Sequence, residues 1–413
     1  MRHRFNKLKK KRCTMEIKVI DSMMGSGKTT WAIKYMNEAP TDQKFIYITP
    51  FLNEVKRIRE NVTGRKMLEP NNRNGEGSKL RSLKELIAEG YSIASTHALF
   101  RSADDELISL IEEENYTLIL DEVMSVVERA EIGKADISAL MSSGLIKIEE
   151  DTKQVVWIDT GYDSGRFSDI KMLANAGNLY KFGEGLLLWT FPPRVFKAFD
   201  KTFIMTYLFD AQIQRCYFDL FDIQYSKQSL DNGEVVPYDR LSEKREEIFS
   251  LIELYDGPLN EIGEARYALS SNRLKSYSSQ TLKKIKNNLN NYLRNIKGAK
   301  GKEILWTTLK SKMDALKGPG FAKSFVEWNI RATNDYADRS VLAFMYNRFI
   351  RPEEKQFFEG QEKTITVDDD LLAVSDLLQW IWRSRIRNGQ PISLYLPSSR
   401  MRSLLKAWAS YEI

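Results

Sequence analysis

A glycine-rich turn followed by Lys28 and Thr29 constrains this chain more than any other feature of its sequence. The turn comes directly after the apolar run 17–20 and directly before a helical pattern. A short strand, a glycine turn and Lys-Thr at the start of a helix together form a cradle for nucleotide phosphates. Gly25 and Gly27 allow backbone N–H groups to face a β-phosphate, and the helix adds the positive end of its dipole. The sequence therefore predicts a site for a nucleoside triphosphate.

The residues of this loop have separate predicted roles. Lys28 supplies a positive charge for the β- and γ-phosphates, and Thr29 supplies a hydroxyl ligand for Mg²⁺. The pattern G-x-x-x-x-G-K-[ST] has its first glycine at the position of Ser22, so the loop is a variant of the general form. The predicted nucleotide-binding residues are Ser22, Met24, Gly25, Ser26, Gly27, Lys28, Thr29 and Thr30.

A second motif is the apolar run 118–120, which ends in Asp121 and Glu122. An apolar run of this kind is typical of a buried strand of a parallel sheet, so both carboxylates are expected at the edge where the phosphates bind. Asp121 is predicted to hold Mg²⁺ beside Thr29, and Glu122 to polarise the water that attacks the γ-phosphate. The second acid favours hydrolysis over transfer to a substrate hydroxyl.

Length and composition limit the remaining classes. A chain of 413 residues predicts two domains, and 42% hydrophobic residues are enough to fill two cores. No apolar run approaches the roughly 20 residues of a membrane span, and we expect neither a membrane partner nor a secretory signal. Two cysteines and two histidines predict neither a disulfide framework nor a histidine-rich zinc site, and they favour a reducing cytoplasm.

The net charge of +6 is concentrated in residues 1–14, which contain seven Lys and Arg residues and no acid. The rest of the chain is therefore close to neutral. This tail either contacts nucleic acid or is a disordered, solvated leader, and Met15 is an alternative start of translation.

Strand-like and helix-like stretches alternate from residue 15 to about residue 127. The pattern predicts strands over 17–20, 44–49, 91–95 and 117–120 and helices over 29–37, 53–61, 78–89 and 102–113. Strands separated by helices imply a parallel sheet with its ligand at the carboxyl ends of the strands. Short strands at 146–148, 155–158 and 186–189, with glycines between them, predict a β-rich insertion over about 145–190.

The second half repeats the alternation. Residues 241–300 are expected to be mainly helical, and the acidic run 368–370 is expected in a loop. Strands are predicted at 303–307, 325–329 and 393–396 and helices at 376–386 and 398–409, after a last strand of the first half at 202–205. We therefore predict a tail (1–14), a first domain (15–215) and a second domain (216–413) with a helical insertion at about 241–300.

The order of these motifs resembles that of superfamily 2 helicases over most of the chain. The phosphate loop is similar to motif I and Asp121-Glu122 to motif II. Three further segments of the first half resemble motif Ia, a Thr-His segment of several such helicases and, by place only, motif III: Ile48-Thr49-Pro50, Ser95-Thr96-His97 and Met205-Thr206-Tyr207. The arginine usual in motif Ia and the Ser-Ala-Thr pattern of motif III are missing.

In the second half, residues 304–308, 332–339 and 379–387 resemble motifs IV, V and VI. Gln379 and Arg383 match the glutamine and the first arginine of motif VI. The second arginine of the motif falls on Ile386, between Arg385 and Arg387. The resemblance implies that ATP is hydrolysed by Lys28, Asp121, Glu122, Gln379, Arg383 and Arg387. Which arginine reaches the γ-phosphate stays open.

The resemblance also implies nucleic-acid contacts across the tops of both domains. Backbone amides and hydroxyls hold phosphates there without reading sequence. The positions that match are Thr49, Pro50, Thr96, His97, Thr307 and Thr333. A lysine-rich stretch at 283–297 either adds charge to this surface or is a solvated helix face.

By resemblance we expect an α/β protein with two RecA-like P-loop NTPase domains, in which parallel sheets are flanked by helices. The implied function is an ATP-dependent DNA helicase or translocase of bacteriophage replication or recombination, using ATP and Mg²⁺ in the host cytoplasm. Single-stranded or forked DNA is the expected partner, with RNA as an alternative and replication or recombination proteins as further partners. The rival interpretations are a packaging-like P-loop motor without strand separation, an ATP-gated nucleic-acid clamp and a nucleotide kinase. A kinase would leave residues 300–413 unexplained.

Overall fold

The computed structural model describes residues 16–75, 77–159, 161–162, 165–183, 185–329, 335–360 and 364–413. The described chain forms two compact units. The first contains residues 16–20, Lys28–Met205 and Phe221–Gln228, and the second contains Asp21–Gly27, Thr206–Leu220 and Ser229–Ile413. The domain limits 15–215 and 216–413 stay a prediction.

Strands and helices alternate through most of the described chain. The strands are β1 (Glu16–Asp21), β2 (Lys44–Thr49), β3 (Met67–Leu68), β4 (Ser92–Thr96), β5 (Tyr116–Asp121), β6 (Val127–Arg129), β7 (Ile146–Ile148), β8 (Val155–Trp157), β9 (Leu179–Phe182), β10 (Leu186–Thr190), β11 (Lys201–Thr206), β12 (Ser226–Asp231), β13 (Glu234–Pro237), β14 (Ile252–Leu254), β15 (Ile304–Thr307), β16 (Val341–Phe344) and β17 (Ile392–Tyr395). The helices are α1 (Lys28–Glu38), α2 (Leu52–Asn61), α3 (Lys79–Ala88), α4 (His97–Phe100), α5 (Asp105–Glu114), α6 (Lys134–Ser142), α7 (Ser168–Asn175), α8 (Pro193–Lys197), α9 (Ile213–Leu220), α10 (Arg245–Ser250), α11 (Ser271–Ser276), α12 (Ser279–Asn290), α13 (Met313–Leu316), α14 (Pro352–Glu359), α15 (Asp369–Ile381) and α16 (Ser399–Ala409).

The largest sheet has eight strands in the order β13-β12-β1-β11-β5-β2-β4-β3. The pairs β1–β12, β11–β5, β5–β2, β2–β4 and β4–β3 are parallel. Thr49 lies opposite Thr96, and Met205 lies opposite Asp121. The carboxyl ends of β2, β4, β5 and β11 therefore meet at one edge of the sheet, as the alternating sequence pattern predicts.

Aromatic side chains fix α1 on this sheet. Trp31 and Tyr35 stack with their ring centroids 5.3 Å apart, and both rings contact Phe203 of β11 at 5.2 and 5.1 Å. Tyr35 also meets the edge of Phe45 in β2 at 5.9 Å. Residues 31 and 35 lie one helical turn apart, so one face of α1 carries the packing and its first turn is held at a fixed height over the strands.

The β-rich insertion of the first unit consists of two small antiparallel sheets. One has three strands in the order β6-β10-β9, and the other is the β7–β8 pair. The predicted strands at 146–148, 155–158 and 186–189 are confirmed, but the insertion begins earlier, at Val127 of β6. Strands β6 and β9 have only three and four residues, which explains why hydrophobic pattern alone does not reveal them.

The second unit contains a four-stranded parallel sheet in the order β14-β17-β16-β15. Its core includes the fully buried indoles of Trp306, Trp380 and Trp408. The indole N–H groups of Trp306 and Trp380 donate to the carbonyls of Phe321 (2.9 Å) and Val326 (3.3 Å). The expected α/β class, with parallel sheets flanked by helices, is confirmed.

Two local predictions for the second unit are wrong. Residues 325–329 form no strand apart from one isolated bridge from Phe325 to Trp306. Residues 241–300 are mainly helical, as predicted, and also contain a strand, β14, whose run of three residues is too short for a period-2 signal. The acidic run lies not in a loop but at the start of α15, where the Asp368 carboxylate accepts the Leu371 N–H at 2.8 Å. Acids are stabilised there by the positive end of the helix dipole.

Helix α15 ends at Ile381, five residues before the predicted limit, and a short 3₁₀ turn follows at Arg385–Asn388. Among the described residues, no helix is both long enough and apolar enough to cross a membrane.

Candidate active site

The glycine turn after β1 has the conformation that its sequence predicts. Gly25 and Gly27 have φ values of 81° and 88°, a left-handed region that side chains rarely enter. The Ser26 N–H donates to the Met23 carbonyl at 3.2 Å, and α1 begins at Lys28 with no acid in its first turn. The turn is therefore closed on itself and leads into the amino end of a helix, where an anion is stabilised.

Gly25 is required for a second reason, which the sequence does not show. A Cβ atom at this position would lie 2.7 Å from Cζ2 of Trp382. Trp382 stands where motif VI usually has glycine, so an aromatic ring packs on the phosphate loop at a place where the family pattern has no side chain.

The other loop residues that the sequence singled out lie in different environments. Ser22 is buried, and its hydroxyl accepts the Leu230 N–H at 2.6 Å. Met24 is half-buried against the core of the second unit, and Thr30 is exposed. The Ser26 hydroxyl oxygen is buried without a hydrogen-bond partner in the described part of the chain. Among the described residues, the Ser26 hydroxyl therefore lacks the hydrogen bond that buried polar groups normally form.

Asp21, the last residue of β1, borders the phosphate loop and belongs to none of the predicted motifs. Its carboxylate accepts the N–H groups of Leu208 (2.7 Å) and Phe209 (2.9 Å), and Leu208 has a φ of 54°. Burial raises the pKa of Asp21 to about 6, although the Phe209 N–H favours the ionised form. Asp21 thus ties the start of the phosphate loop to the chain that follows β11.

Tyr47 of β2 joins the two motifs. Its hydroxyl donates to Oδ2 of Asp121 at 2.8 Å, and the nearby Thr29 side chain opposes the rise that burial causes in the pKa of Tyr47. Thr29 and Asp121, the two predicted Mg²⁺ ligands, therefore both lie near one phenol. Tyr47 was also missed, although a tyrosine inside an apolar central strand signals a buried hydroxyl that needs a partner.

Burial raises the pKa of Asp121 to about 7, and the neighbouring Glu122 charge acts in the same direction. The Tyr47 hydrogen bond and the positive charge of Lys28 oppose this shift and favour the carboxylate. Lys28 thus lies close enough to Asp121 to act on its charge, and a cation placed beside Asp121 would favour ionisation further.

Glu122 follows β5 in a left-handed backbone conformation with a φ of 71°. Its N–H donates to the Met205 carbonyl at 2.9 Å, which holds this conformation. A non-glycine residue in this region costs about 1–2 kcal/mol, and such strain is concentrated at functional sites.

The predicted nucleic-acid contacts of the first unit lie at the same edge of the sheet. Thr49 and Thr96 are opposite each other at the ends of β2 and β4, with Pro50 next in the chain and His97 at the start of α4. The Thr49 hydroxyl oxygen is buried and has no partner among the described residues.

In the second unit, Thr307 ends β15 and is fully buried, while Thr333 lies outside the described residues. Gln379 is half-buried in α15. Arg383 is 5% exposed, and its guanidinium donates to the Glu327 carbonyl at 3.4 Å.

The other two arginines of this segment lie in the 3₁₀ turn and not on α15. Arg385 donates from Nε to the Pro391 carbonyl at 2.5 Å, and Arg387 is half-buried. The three arginines therefore occupy three different environments.

Two regions of the chain match described families. Residues 127–189 match the YonV middle domain, and residues 246–409 match the YonV C-terminal Rossmann-like domain. The first match coincides with the β-rich insertion, and the second contains the four-stranded sheet. Both families thus follow structural units of this fold.

Among solved structures, Xpd4 of S. tokodaii is similar with a TM-score of 0.47 and 11% identity over 97% of this chain and 94% of that one. The DUF1998 helicase MrfA bound to DNA and AMPPNP is similar with a TM-score of 0.36 and 11% identity over 97% of this chain and 48% of that one.

Over 407 residues the chain is 42% identical to the SPbeta prophage-derived uncharacterized protein YonV of Bacillus subtilis (strain 168). The alignment covers 95% of this chain and 98% of that protein. The chain therefore belongs to the YonV family.

Proposed function

We propose that this protein is an ATP-dependent nucleic-acid helicase or translocase. One observation carries the proposal: the strand-end Asp121 accepts a hydrogen bond from Tyr47 at an edge of a parallel sheet, where Lys28 acts on its charge and Thr29 lies near the same tyrosine. Ligands of open α/β sheets bind at this edge. A phosphate cradle and a metal-binding carboxylate at one point are the parts that nucleotide hydrolysis requires.

The residues present fit ATP and Mg²⁺. Thr29 and Asp121 offer the oxygen ligands that Mg²⁺ prefers, and Mg²⁺ commonly takes one or two carboxylates with phosphates and waters completing its shell. The buried Ser26 hydroxyl, which has no partner in the described chain, matches a phosphate oxygen in the loop. When bound, Mg²⁺ neutralises charge on the β- and γ-oxygens of the nucleotide.

The protein's own groups divide the work of hydrolysis. Lys28 balances the charge of the β- and γ-phosphates, and the amino end of α1 stabilises the same anion. Glu122, fixed by its N–H bond to Met205, orients and polarises the attacking water. Gln379 and Arg383 are assigned to the γ-phosphate by their match to motif VI, and Arg387 is a candidate because it lies next to Ile386, where the second arginine of the motif would fall.

Nucleic acid is the proposed substrate because the helicase-like motifs occur in order along the whole chain. Thr49, Pro50, Thr96 and His97 are the proposed contacts of the first unit, and Thr307 and Thr333 those of the second. DNA is favoured over RNA because the relative in Bacillus subtilis is described as prophage-derived. We therefore place the activity in phage replication or recombination, in the cytoplasm of a bacterial host.

The deciding experiment is strand displacement on a panel of DNA duplexes with 3′ tails, 5′ tails and forks, with ATP hydrolysis measured in parallel. The parent protein is expected to hydrolyse ATP faster with DNA and to release at least one labelled strand. Lys28→Ala is expected to abolish both activities. Glu122→Gln is expected to retain ATP binding but to lower kcat by about 100-fold or more, since it removes a positioned general base.

The outcomes separate the rival functions. DNA-stimulated hydrolysis without displacement of any substrate assigns a translocase, and ATP-dependent DNA binding without hydrolysis assigns a clamp. If the parent neither binds nor hydrolyses ATP in the presence of Mg²⁺, the proposal is wrong.

A further inference from the structure

An exposed tyrosine stands at the carboxyl edge of the second unit's sheet. Tyr267 is 54% exposed, and its ring lies 5.4 Å from that of Phe349, just beyond β16. The Arg266 guanidinium lies 5.6 Å from the Tyr267 ring centroid. One side of an aromatic ring is thus supported by protein while more than half of the side chain faces solvent.

The segment that carries this ring is fixed by a buried amide. Asn347 is fully buried, and its Nδ2 donates to the carbonyls of Arg266 (2.9 Å) and Ala268 (3.0 Å). The Asn347 N–H donates to the Leu269 carbonyl at 3.0 Å, and its Oδ1 accepts from Arg400 at 3.2 Å. The exposed ring is therefore held in place before any ligand arrives, which lowers the entropy lost on binding.

The segment that contains Tyr267 also carries exposed positive charge. Arg266, Arg273 and Lys275 lie within eight residues of Tyr267 in the sequence and are exposed, and none of them forms an ion pair with another described residue. The Lys312 ammonium approaches the Lys275 carbonyl at 3.5 Å and adds a further cation.

Two acids near this segment are paired with arginines. Glu264 is paired with Arg402, and Asp370 lies 2.6 Å from Arg400. The ligand that complements this surface is therefore anionic and has an aromatic face.

We propose that Arg266, Tyr267, Arg273 and Lys275, named here the Tyr267 patch, bind single-stranded nucleic acid. Tyr267 stacks on an unpaired base, and the cations hold the flanking phosphates. Exposed bases with flanking phosphates are found in single strands, whereas a duplex hides the faces of its bases. Thr307, a proposed phosphate contact, lies at the same edge because it pairs with Phe344 of β16. The inference rests on the proposed function for the role of the strand but names residues that no motif includes.

The stacking contact is tested by fluorescence anisotropy of the full chain with a labelled oligothymidine. Its length of about 20 nucleotides exceeds the number of nucleotides that one single-strand-binding domain typically covers. Tyr267→Ala is expected to weaken binding by about 5- to 100-fold, as loss of one base–aromatic stack does, and Tyr267→Phe to stay within about twofold. Tyr91→Ala is the matched control, because Tyr91 is also an exposed tyrosine (40%) but belongs to the first unit.

The phosphate contacts are tested by the salt dependence of the same binding. Arg266→Gln and Arg273→Gln are each expected to reduce the slope of log K against log salt by about 0.7, the value for one phosphate contact on a single strand. Tyr267→Ala is expected to leave this slope unchanged. Lys406→Gln, at an exposed cation in the last turn of α16, is the control.

Two results would overturn the proposal. One is affinity of Tyr267→Ala within twofold of the parent, which would leave the patch to a protein partner. The other is equal weakening of Tyr267→Phe and Tyr267→Ala, which a stacking contact does not produce. Binding of a fluorescent ATP analogue is measured on every variant, so failure of the patch is distinguishable from failure of the ATP site.

Discussion

At the scale of single residues, Asp21 shows how a charged group is kept inside the protein. Its carboxylate is nearly inaccessible, yet two backbone N–H groups satisfy it and fix the chain that follows β11. Burial outweighs these hydrogen bonds and raises the pKa from 3.8 to about 6. Asp21 therefore positions the phosphate loop, but its buried carboxylate lowers the free energy of unfolding once it loses its proton.

This cost predicts how stability depends on pH. Between pH 3.8 and about 6, the folded state retains a proton that the unfolded state has lost, so the free energy of unfolding falls as pH rises. Asp21→Asn removes the titration. The variant is expected to gain about 3 kcal/mol relative to the parent between about pH 4 and pH 7, as two pKa units imply. Urea unfolding across this range measures the difference.

The matched control is Asp151→Asn, because Asp151 is an exposed carboxylate. The free energy of unfolding of the Asp151→Asn variant, relative to the parent, is expected to change little with pH. A difference between Asp21→Asn and the parent that stays constant from pH 4 to pH 7 would contradict the assigned pKa.

At the scale of elements, the pairing of β2 with β5 assembles the site. Tyr47 lies opposite Ile119, and its side chain reaches Asp121, two residues further along β5. Such diagonal neighbours are within reach of long side chains in a sheet. The register of two strands thus decides which hydroxyl meets the carboxylate, and a shift of one residue would remove the contact.

We expect Tyr47→Phe to raise the Mg²⁺ concentration needed for half-maximal nucleotide binding by about 10- to 100-fold, the usual effect of losing a partner that orients a ligand. The reason is that Asp121 loses the hydrogen bond that favours its ionised form. A fluorescent ATP analogue titrated at several Mg²⁺ concentrations measures the effect, and binding without Mg²⁺ is expected to be unchanged.

Tyr116→Phe is the control for this element. Tyr116 begins β5, is equally buried and donates to the Tyr91 carbonyl at 2.7 Å, at the opposite end of the strand from Asp121. Both variants lose one buried hydrogen bond, which is worth about 1 kcal/mol. If both variants shift the Mg²⁺ requirement equally, Tyr47 has only a structural role.

At the scale of the whole molecule, the residues proposed for hydrolysis come from the whole length of the sequence. Lys28, Thr29, Asp121 and Glu122 lie in its first half, and the motif VI arginines lie near its end. An arginine that stabilises the transferring phosphoryl group increases the rate without being needed for binding. Substitution of such an arginine should therefore lower the rate of hydrolysis without lowering nucleotide affinity.

Arg383→Ala is therefore expected to lower kcat by about 1000-fold while ATP affinity stays within about threefold, as loss of an arginine finger does. Single-turnover hydrolysis and equilibrium ATP binding measure the two effects. Because Arg383 is buried and donates to the Glu327 carbonyl, thermal unfolding is measured on the same sample.

Arg385→Ala and Arg387→Ala complete the series and identify which arginine acts. Arg385 already donates to the Pro391 carbonyl, so its removal is expected to leave kcat nearly unchanged. Normal hydrolysis by a folded Arg383→Ala would show that the assignment of motif VI to this residue is wrong.

Local features of the fold were predictable from the sequence because local physics controls them. The glycines at 25 and 27, the start of α1 and the apolar strand ending in Asp121 all depend on residues within one turn or strand. The acidic run at 368–370 was predicted wrongly, although a helix-capping aspartate is a local signal that the pattern contains. Residues 325–329 show the converse, since a predicted strand forms only the isolated bridge of Phe325.

The sequence by itself determined the phosphate loop, the strand-end acids and the alternation that produces parallel sheets. Only the tertiary structure decided which side chains meet there, since Tyr47 and Asp121 are 74 residues apart and Asp21 and Leu208 are 187 apart. Strand order and register set these contacts, and hydrophobic periodicity specifies which face of a strand is buried but not which strand lies beside it.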